Sequence, residues 1–230
     1  MKTAIFLQAR LDSSRLPKKI LLPLAGKPLL QHAMEALKLV PADIYAVLTD
    51  SNSEQQITQL CQQCGFHVFA GDPDDVLHRY VSAAEFFGVD RIVRATGDNP
   101  LVSPQIANET LRLAEARSCD YAGLINPPYG TAVEVVKTSA LQKAMSSDKQ
   151  YDHEHVTAYV YSHPEIFSVV LEEAREEWRC DARVTIDTPD DYQYIQDLFA
   201  ALYCNEAIPL EDLIAWCCQN PRSGKRLKVS

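Results

Sequence analysis

Six residues that suit phosphate chemistry crowd into one short stretch near the N-terminus: Arg10, Ser13, Ser14, Arg15, Lys18 and Lys19. Arg presents forked donors and Lys a point charge, and together they suit the oxygens of a polyphosphate. Two carboxylates stand far along the chain in matching settings. Asp98 lies in Gly97-Asp98-Asn99-Pro100 and Asp187 in Ile186-Asp187-Thr188-Pro189, each just after a short apolar run. Two carboxylates facing a polyphosphate loop suit Mg2+, which takes oxygen ligands and bridges one or two carboxylates to phosphate. Each feature has a plainer reading. The basic stretch reads also as a solvated loop, Asp98 as a turn residue beside Pro100, and Asp187 as a helix N-cap. The chemical reading gains weight because the chain is acidic, with net charge −9, so cations gathered at one strand end are unusual.

The elements that must position these residues follow from hydrophobic periodicity. Thr3 to Leu7 reads as a buried strand, and Pro17 forbids regular helix just behind it. Ile20 to Leu24 and the Ala25-Gly26-Lys27-Pro28 turn lead into a helix over Leu29 to Leu39. Strands are expected at Asp43 to Thr49, Phe66 to Ala70 and Arg91 to Thr96. Between them, Ser53 opens a helix with Gln56 at its capping-box position, and Val76 to Phe87 forms a helix closed by Gly88. Pro104 to Ala116 is a further helix. This alternation implies βαβ units and a parallel sheet covered on both faces, and ligands bind such sheets beyond the carboxyl ends of the strands.

The rhythm loosens after residue 117. Short strands are expected at Tyr121 to Leu124, Val133 to Lys137, Phe167 to Leu171 and Arg183 to Ile186. Helices are expected at Leu141 to Met145, Glu154 to Tyr161, Pro189 to Leu202 and Pro209 to Cys218, ahead of a basic tail, Gly224 to Ser230. With no repeat and no long linker, residues 1–230 read as one domain. Its nucleotide-binding half is 1–116, its acceptor-side half 117–219 and its tail 220–230.

Composition excludes several classes. An acidic chain is a poor general binder of nucleic acid or membrane surfaces, whose affinity rests on Lys and Arg. No run has transmembrane length and no signal-peptide pattern opens the chain, so a cytoplasmic protein is expected. The seven Cys are expected as free thiols. Cys61-Gln62-Gln63-Cys64 has redox or metal spacing but lacks a second pair at zinc spacing, and Cys217-Cys218 reads as helix packing.

Three stretches together resemble the cytidylyltransferase family. Gln8-Ala9-Arg10-Leu11-Asp12-Ser13-Ser14-Arg15-Leu16-Pro17-Lys18-Lys19, with Leu24-Ala25-Gly26-Lys27-Pro28-Leu29, is similar to its opening. Gly97-Asp98-Asn99-Pro100-Leu101 resembles its metal-binding stretch, and Val184-Thr185-Ile186-Asp187-Thr188-Pro189-Asp190-Asp191 its late stretch. Asp75-Val76-Leu77-His78-Arg79-Tyr80 and Glu154-His155-Val156-Thr157-Ala158-Tyr159 resemble inner segments of the spore-coat polysaccharide protein F group. The resemblance implies a nucleotide-diphospho-sugar transferase fold, a three-layer α/β/α sandwich with a mixed, mostly parallel sheet. It implies Mg2+-dependent transfer of a nucleoside monophosphate from an NTP, usually CTP, to a sugar-type acceptor in surface polysaccharide synthesis, with release of pyrophosphate. By position, Arg10, Ser13, Ser14, Arg15 and Lys19 would hold the triphosphate, with Lys19, Arg10 and Arg15 as the catalytic cations. Leu7, Gln8 and Ala9 would receive the base through their backbone, Arg79 would lie near base and ribose, and Asp98 and Asp187 would hold Mg2+. The family usually has Gly where this chain has Lys18, so the loop is expected to differ locally or to bear strain there. Relatives are often homodimers, so a homodimer is admitted.

On the acceptor side Tyr129, Gly130, Glu134, Glu154 and His155 are candidates because polar groups crowd there, and His153 reads as a surface or helix-cap residue. Two other readings compete. A glycosyltransferase of the same fold would use an intact nucleotide sugar, but Gly97-Asp98-Asn99 lacks the second Asp of an Asp-x-Asp pair. A non-catalytic nucleotide-binding protein would bind CTP without turnover.

Overall fold

The computed structural model describes residues 1–222, so the expected tail at 224–230 lies outside the described residues. The strands are β1 (Thr3–Gln8), β2 (Pro23–Leu24), β3 (Lys27–Pro28), β4 (Ile44–Asp50), β5 (His67–Gly71), β6 (Arg91–Thr96), β7 (Tyr121–Ile125), β8 (Glu134–Lys137) and β9 (Val169–Glu173). The helices are α1 (Leu29–Leu37), α2 (Ser51–Gln63), α3 (Val76–Phe87), α4 (Pro104–Arg117), α5 (Thr138–Ala144), α6 (Gln150–Glu154), α7 (Ala158–Ser162), α8 (Pro189–Leu202) and α9 (Leu210–Gln219).

Seven strands form one sheet in the order β5-β4-β1-β6-β8-β7-β9, and β2 and β3 make a separate antiparallel hairpin. Only β8 runs against its neighbours, β6 and β7, while the other pairs are parallel. Side chains alternate across the pleat. Ile5, Leu7, Val47 and Val93 pack on one side with Leu30, Met34, Ile57 and Leu111 from α1, α2 and α4. Ala4, Phe6, Leu48 and Ile92 pack on the other with Leu77, Tyr80 and Leu141 from α3 and α5. The result is the expected three-layer sandwich. A further apolar cluster joins Leu24, Leu29 and Ile186 to α8 and α9.

The chain leaves β1 for β4 and β5 on one side, then returns to pair β6 on the other. That reversal opens a crevice beyond the carboxyl ends of β1 and β6. The basic loop leaves β1 there, and Asp98 follows β6.

Several elements differ from the sequence pattern for identifiable reasons. Helix α2 starts at Ser51, ahead of Ser53, because the Asp50 carboxylate at the end of β4 caps it, accepting from the amides of Asn52 and Ser53 at 2.9 Å. This leaves the Ser53 hydroxyl free to accept from the Leu11 amide at 2.9 Å and so fasten the basic loop. The expected helix over Glu154 to Tyr161 is broken into α6 and α7 by Val156, whose φ is 51°. Arg183 to Ile186 does not join the sheet. It makes one isolated bridge, Tyr129 to Arg183, and donates from the Ile186 amide to the Asp98 carbonyl at 3.0 Å. Strand β9 sits further along than Phe167 to Leu171, taking in part of the acidic segment.

Candidate active site

The basic loop is a closed excursion with few internal bonds. It leaves β1 after the Ala9 amide donates to the Leu48 carbonyl at 3.0 Å, and closes where the Lys18 amide reaches the Leu11 carbonyl at 3.1 Å. Lys18 takes the left-handed conformation, φ 55° and ψ 27°, which the family glycine reaches without a Cβ penalty. The next residue opens a 3₁₀ turn over Lys19–Leu21 that turns the Lys19 side chain back toward the sheet.

Asp98 is placed by the residue before it. The Gly97 amide donates to the Gln8 carbonyl at 2.7 Å, extending the β1–β6 ladder by one step. A Cβ at Gly97 would stand 2.9 Å from that of Ala9, so only glycine lets the two strand ends approach this closely. Asp187 is placed by the late segment. The Tyr129 amide donates to the Ala182 carbonyl and the Val184 amide to the Tyr129 carbonyl, each at 2.8 Å. Gly130 permits that docking, with φ 105° and a phantom Cβ 2.9 Å from the Thr185 nitrogen. Asp187 is not the cap of α8. Thr188 caps it, in a reciprocal box with Asp191, and Asp191 also accepts from the Asp187 amide at 2.9 Å. The Asp187 side chain is thereby left for the crevice.

There the three features meet. Lys19 Nζ donates to Asp98 Oδ2 at 2.8 Å, to Asp187 Oδ1 at 3.0 Å and to the Ile186 carbonyl at 2.8 Å. Arg15, two-thirds exposed, reaches Asp187 Oδ1 at 3.2 Å. Arg183 pairs with the other oxygen, Asp187 Oδ2, and lies 5.0 Å from the ring centre of Tyr129. Arg183 was not among the sequence candidates; its signal is a cation four residues before Asp187 in a stretch that is not helical. Arg10 and Ser14 are exposed and Ser13 half-buried. Among the described residues these three have no hydrogen-bond or ion-pair partner on their side chains. Leu7 and Ala9 are buried and Gln8 half-buried at the end of β1.

Other candidates sit differently. Arg79 is 1% exposed, and its guanidinium donates to the Asp72 carbonyl at 2.9 and 2.5 Å, shaping the 71–75 loop from beneath. Burial lowers its pKa, and the Arg10 charge acts in the same direction. Glu134 is enclosed in a polar network. It pairs with Arg94 through one oxygen, and the other accepts from the hydroxyls of Tyr121 at 2.7 Å and Thr157 at 2.8 Å. Arg94 also donates to Gln8 Oε1 at 3.3 Å. Burial works most strongly against the Arg94 charge, but Glu134, Tyr80 and Tyr121 together outweigh it and raise the pKa. Burial pushes the neighbouring Tyr80 phenol up to about 12. A cation inside the apolar run of β6 is the signal that marks this network in the sequence. Tyr129 and Glu154 are exposed, and the exposed His155 ring lies 4.2 Å from that of Tyr151.

His153 lies outside the crevice. Its Nδ1 meets Asp75 Oδ2 at 2.6 Å and its Nε2 the Ser147 carbonyl at 2.8 Å, tying α6 to the start of α3. Both partners accept, so the ring donates twice as imidazolium. The Ser147 carbonyl and the Asp75 carboxylate raise its pKa. Cys61 is buried and its thiol pushed up to about 12 by burial, far from the thiolate that redox chemistry needs. All seven Cys are free.

The donor set fits a hard divalent ion. Asp98 and Asp187 already converge on one cation, the Lys19 ammonium, through carboxylate oxygens. Among the described residues no group of three or more His, Cys, Asp or Glu could hold a metal, so two carboxylates are what the chain offers and phosphate and water would complete the shell. Asn99 supplies no further carboxylate, and its amide turns to Thr96 Oγ1 at 2.8 Å.

The sheet order, the three layers and the crevice at the β1–β6 reversal define a nucleotide-diphospho-sugar transferase fold. The cytidylyltransferase family model matches residues 4–220, and the chain belongs to that family of nucleotidyltransferases. The chain is 32% identical over 225 residues to the spore coat polysaccharide biosynthesis protein SpsF of Bacillus subtilis, covering 94% of this chain and 93% of SpsF. A cytidylyltransferase from Leptospira borgpetersenii superposes with a TM-score of 0.88 at 30% identity, over 96% of this chain and 95% of that one. A CMP:2-keto-3-deoxy-manno-octonic acid synthetase solved with CTP shares the fold, with a TM-score of 0.64 at 18% identity over 87% of this chain and 99% of that one. No described helix is long and apolar enough to cross a membrane.

Proposed function

We propose that this protein transfers CMP from CTP to a sugar acid, or to a sugar or polyol phosphate, and releases pyrophosphate. The product would be an activated precursor for a surface polysaccharide, made in the cytoplasm where CTP is available. The observation that carries the reading is the meeting of Lys19 with Asp98 and Asp187 in the crevice beyond β1 and β6. An acceptor oxygen attacks the α-phosphorus while the bond to the β-phosphate oxygen breaks. Charge develops on the oxygens of the reacting phosphate and on the departing pyrophosphate. Lys19, Arg15 and Arg10 are the cations beside that charge and would offset it as it develops. Mg2+ held by Asp98 and Asp187 would supply charge neutralisation and alignment of the phosphates. Arg183 would keep the Asp187 carboxylate oriented, as partners of ligating carboxylates do. Leu7, Gln8 and Ala9 would lie beneath the base, with the Ala9 amide and the Gln8 carbonyl already engaged by Leu48 and Gly97, while Tyr129 and His155 border the acceptor side.

The experiment is pyrophosphate release with Mg2+, offering CTP, GTP, UTP and ATP separately against sugar acids, sugar phosphates and polyol phosphates. Release with CTP and one acceptor class is expected. Lys19→Ala should then lower kcat far more than it weakens CTP binding, because its charge acts mostly on the transition state. Unchanged turnover in that variant removes Lys19 from the mechanism. CTP bound with no turnover against any acceptor would favour a non-catalytic role.

A further inference from the structure

Asp187 has no idle oxygen. Its Oδ1 accepts from Lys19 at 3.0 Å and faces Arg15 at 3.2 Å, and its Oδ2 is paired with Arg183. Lys19 is equally committed. An ammonium has three hydrogens, and Nζ has three oxygen partners within 3.0 Å: Asp98 Oδ2, Asp187 Oδ1 and the Ile186 carbonyl. Only 12% of the Lys19 side chain reaches solvent. Mg2+ bonds carboxylate oxygen at about 2.0–2.1 Å. An ion on Asp98 Oδ2, which lies 2.8 Å from Nζ, would stand no more than about 5 Å from the ammonium. In a sheltered crevice two cations at that range repel strongly. Coordination through Asp187 Oδ1, whose two lone pairs already serve Lys19 and Arg15, must also displace one of them.

We propose that Lys19 is a resident counter-ion that competes with the divalent metal for the Asp98–Asp187 pair. The triphosphate draws Lys19 and Arg15 away and so opens the pair to the ion. The proposal rests on the reading of Asp98 and Asp187 as metal ligands and adds an exchange of cations to it. One lysine thus has two successive anionic partners, the carboxylate pair and then the phosphates. Metal and nucleotide must therefore favour each other, and the linkage is reciprocal. Direct contact between metal and phosphate also produces synergy, so the distinguishing quantity is metal affinity with no nucleotide present.

The test is titration of Mn2+ alone into the full chain, following free Mn2+ by electron paramagnetic resonance. Lys19→Gln should bind Mn2+ about tenfold more tightly than the wild type, within the usual range of such couplings. Arg15→Gln should show a smaller gain in the same direction, because Arg15 is exposed and reaches one oxygen. Lys19→Met, which removes the charge without adding a polar group, should match Lys19→Gln. Thermal melts confirm that each variant is folded. Unchanged or weaker Mn2+ binding in both folded Lys19 variants overturns the competition. Full Mn2+ binding by Lys19→Gln/Asp98→Asn overturns instead the assignment of Asp98 as a ligand, so the two failures are told apart.

Discussion

Replacing Glu134 by Gln tests whether the polar network behind the crevice is a charged pair or only a set of hydrogen bonds. Both sides of the pair are partly buried, with side-chain exposures of 16% for Arg94 and 23% for Glu134. Glutamine keeps the size and one acceptor, which can still serve the hydroxyls of Tyr121 and Thr157. Its amino group then faces the Arg94 guanidinium, donor against donor, and the buried cation loses its counter-charge. Breaking a fully buried pair by removing one partner costs about 3–5 kcal/mol. Residual exposure lowers that to roughly 2–4 kcal/mol here. At about 2–4 °C per kcal/mol for a chain of this size, a 3 kcal/mol loss lowers Tm by roughly 6–12 °C. Urea and thermal unfolding of Glu134→Gln beside the wild type measure both. A loss below about 1 kcal/mol refutes the charged-pair account. The double variant Arg94→Met/Glu134→Leu supplies the control: with both charges gone it should be more stable than Glu134→Gln.

Two further perturbations address the loop and the tie between α6 and α3. Lys18→Gly should stabilise the protein. Relief of the left-handed conformation is worth about 1–2 kcal/mol, against about 0.5–1 kcal/mol for glycine's greater unfolded freedom, and the exposed Lys18–Gln56 contact adds little. A lower Tm for Lys18→Gly shows that the loop carries no strain at Lys18. The His153 imidazolium has a raised folded pKa, so its stabilising contribution is complete below the unfolded value, about 6.5, and fades as pH rises through the folded one. The stability gap between the wild type and His153→Gln should therefore be widest near pH 6 and shrink toward pH 9. A gap that is flat or grows with pH means that the ring is not held as imidazolium.

The first half of the chain was legible because its signals are local. Apolar runs flanked by turn residues gave β1, β4 and β6, and Val76 to Phe87 followed by Gly88 fixed α3 at both ends. Asp50 escaped as the cap of α2 because it also ends a strand, and a single residue serving two elements leaves no separate mark. In the second half the deciding facts are tertiary. Val156 sits at positive φ in a three-residue turn closed by the Thr157 amide on the His155 carbonyl, a conformation no β-branched residue advertises. Arg183 to Ile186 is extended because it lies along Tyr129 and Asp98, not because it pairs in the sheet. The phosphate-type loop and both carboxylates were visible as residue types at the ends of apolar runs. Arg183 and the pairing of Arg94 with Glu134 left only a cation near Asp187 and a cation inside an apolar run, since each acquires its meaning from a partner that only the fold supplies.

The bond between Lys19 and Asp187 joins positions 168 residues apart, and this has a consequence for the order in which the protein is made. A ribosome delivers β1, its cationic loop, β6 and Asp98 early, and the parallel core between them can condense as it emerges. Asp187 arrives only with the threshold of α8, after most of the polypeptide has been synthesised. A nascent or truncated chain ending near residue 150 carries the loop and one carboxylate, with no partner for the other side of Lys19. If the pair acts as proposed, the two-carboxylate site is complete only once Asp187 and the start of α8 have emerged, and shorter chains would lack it even where their core has folded.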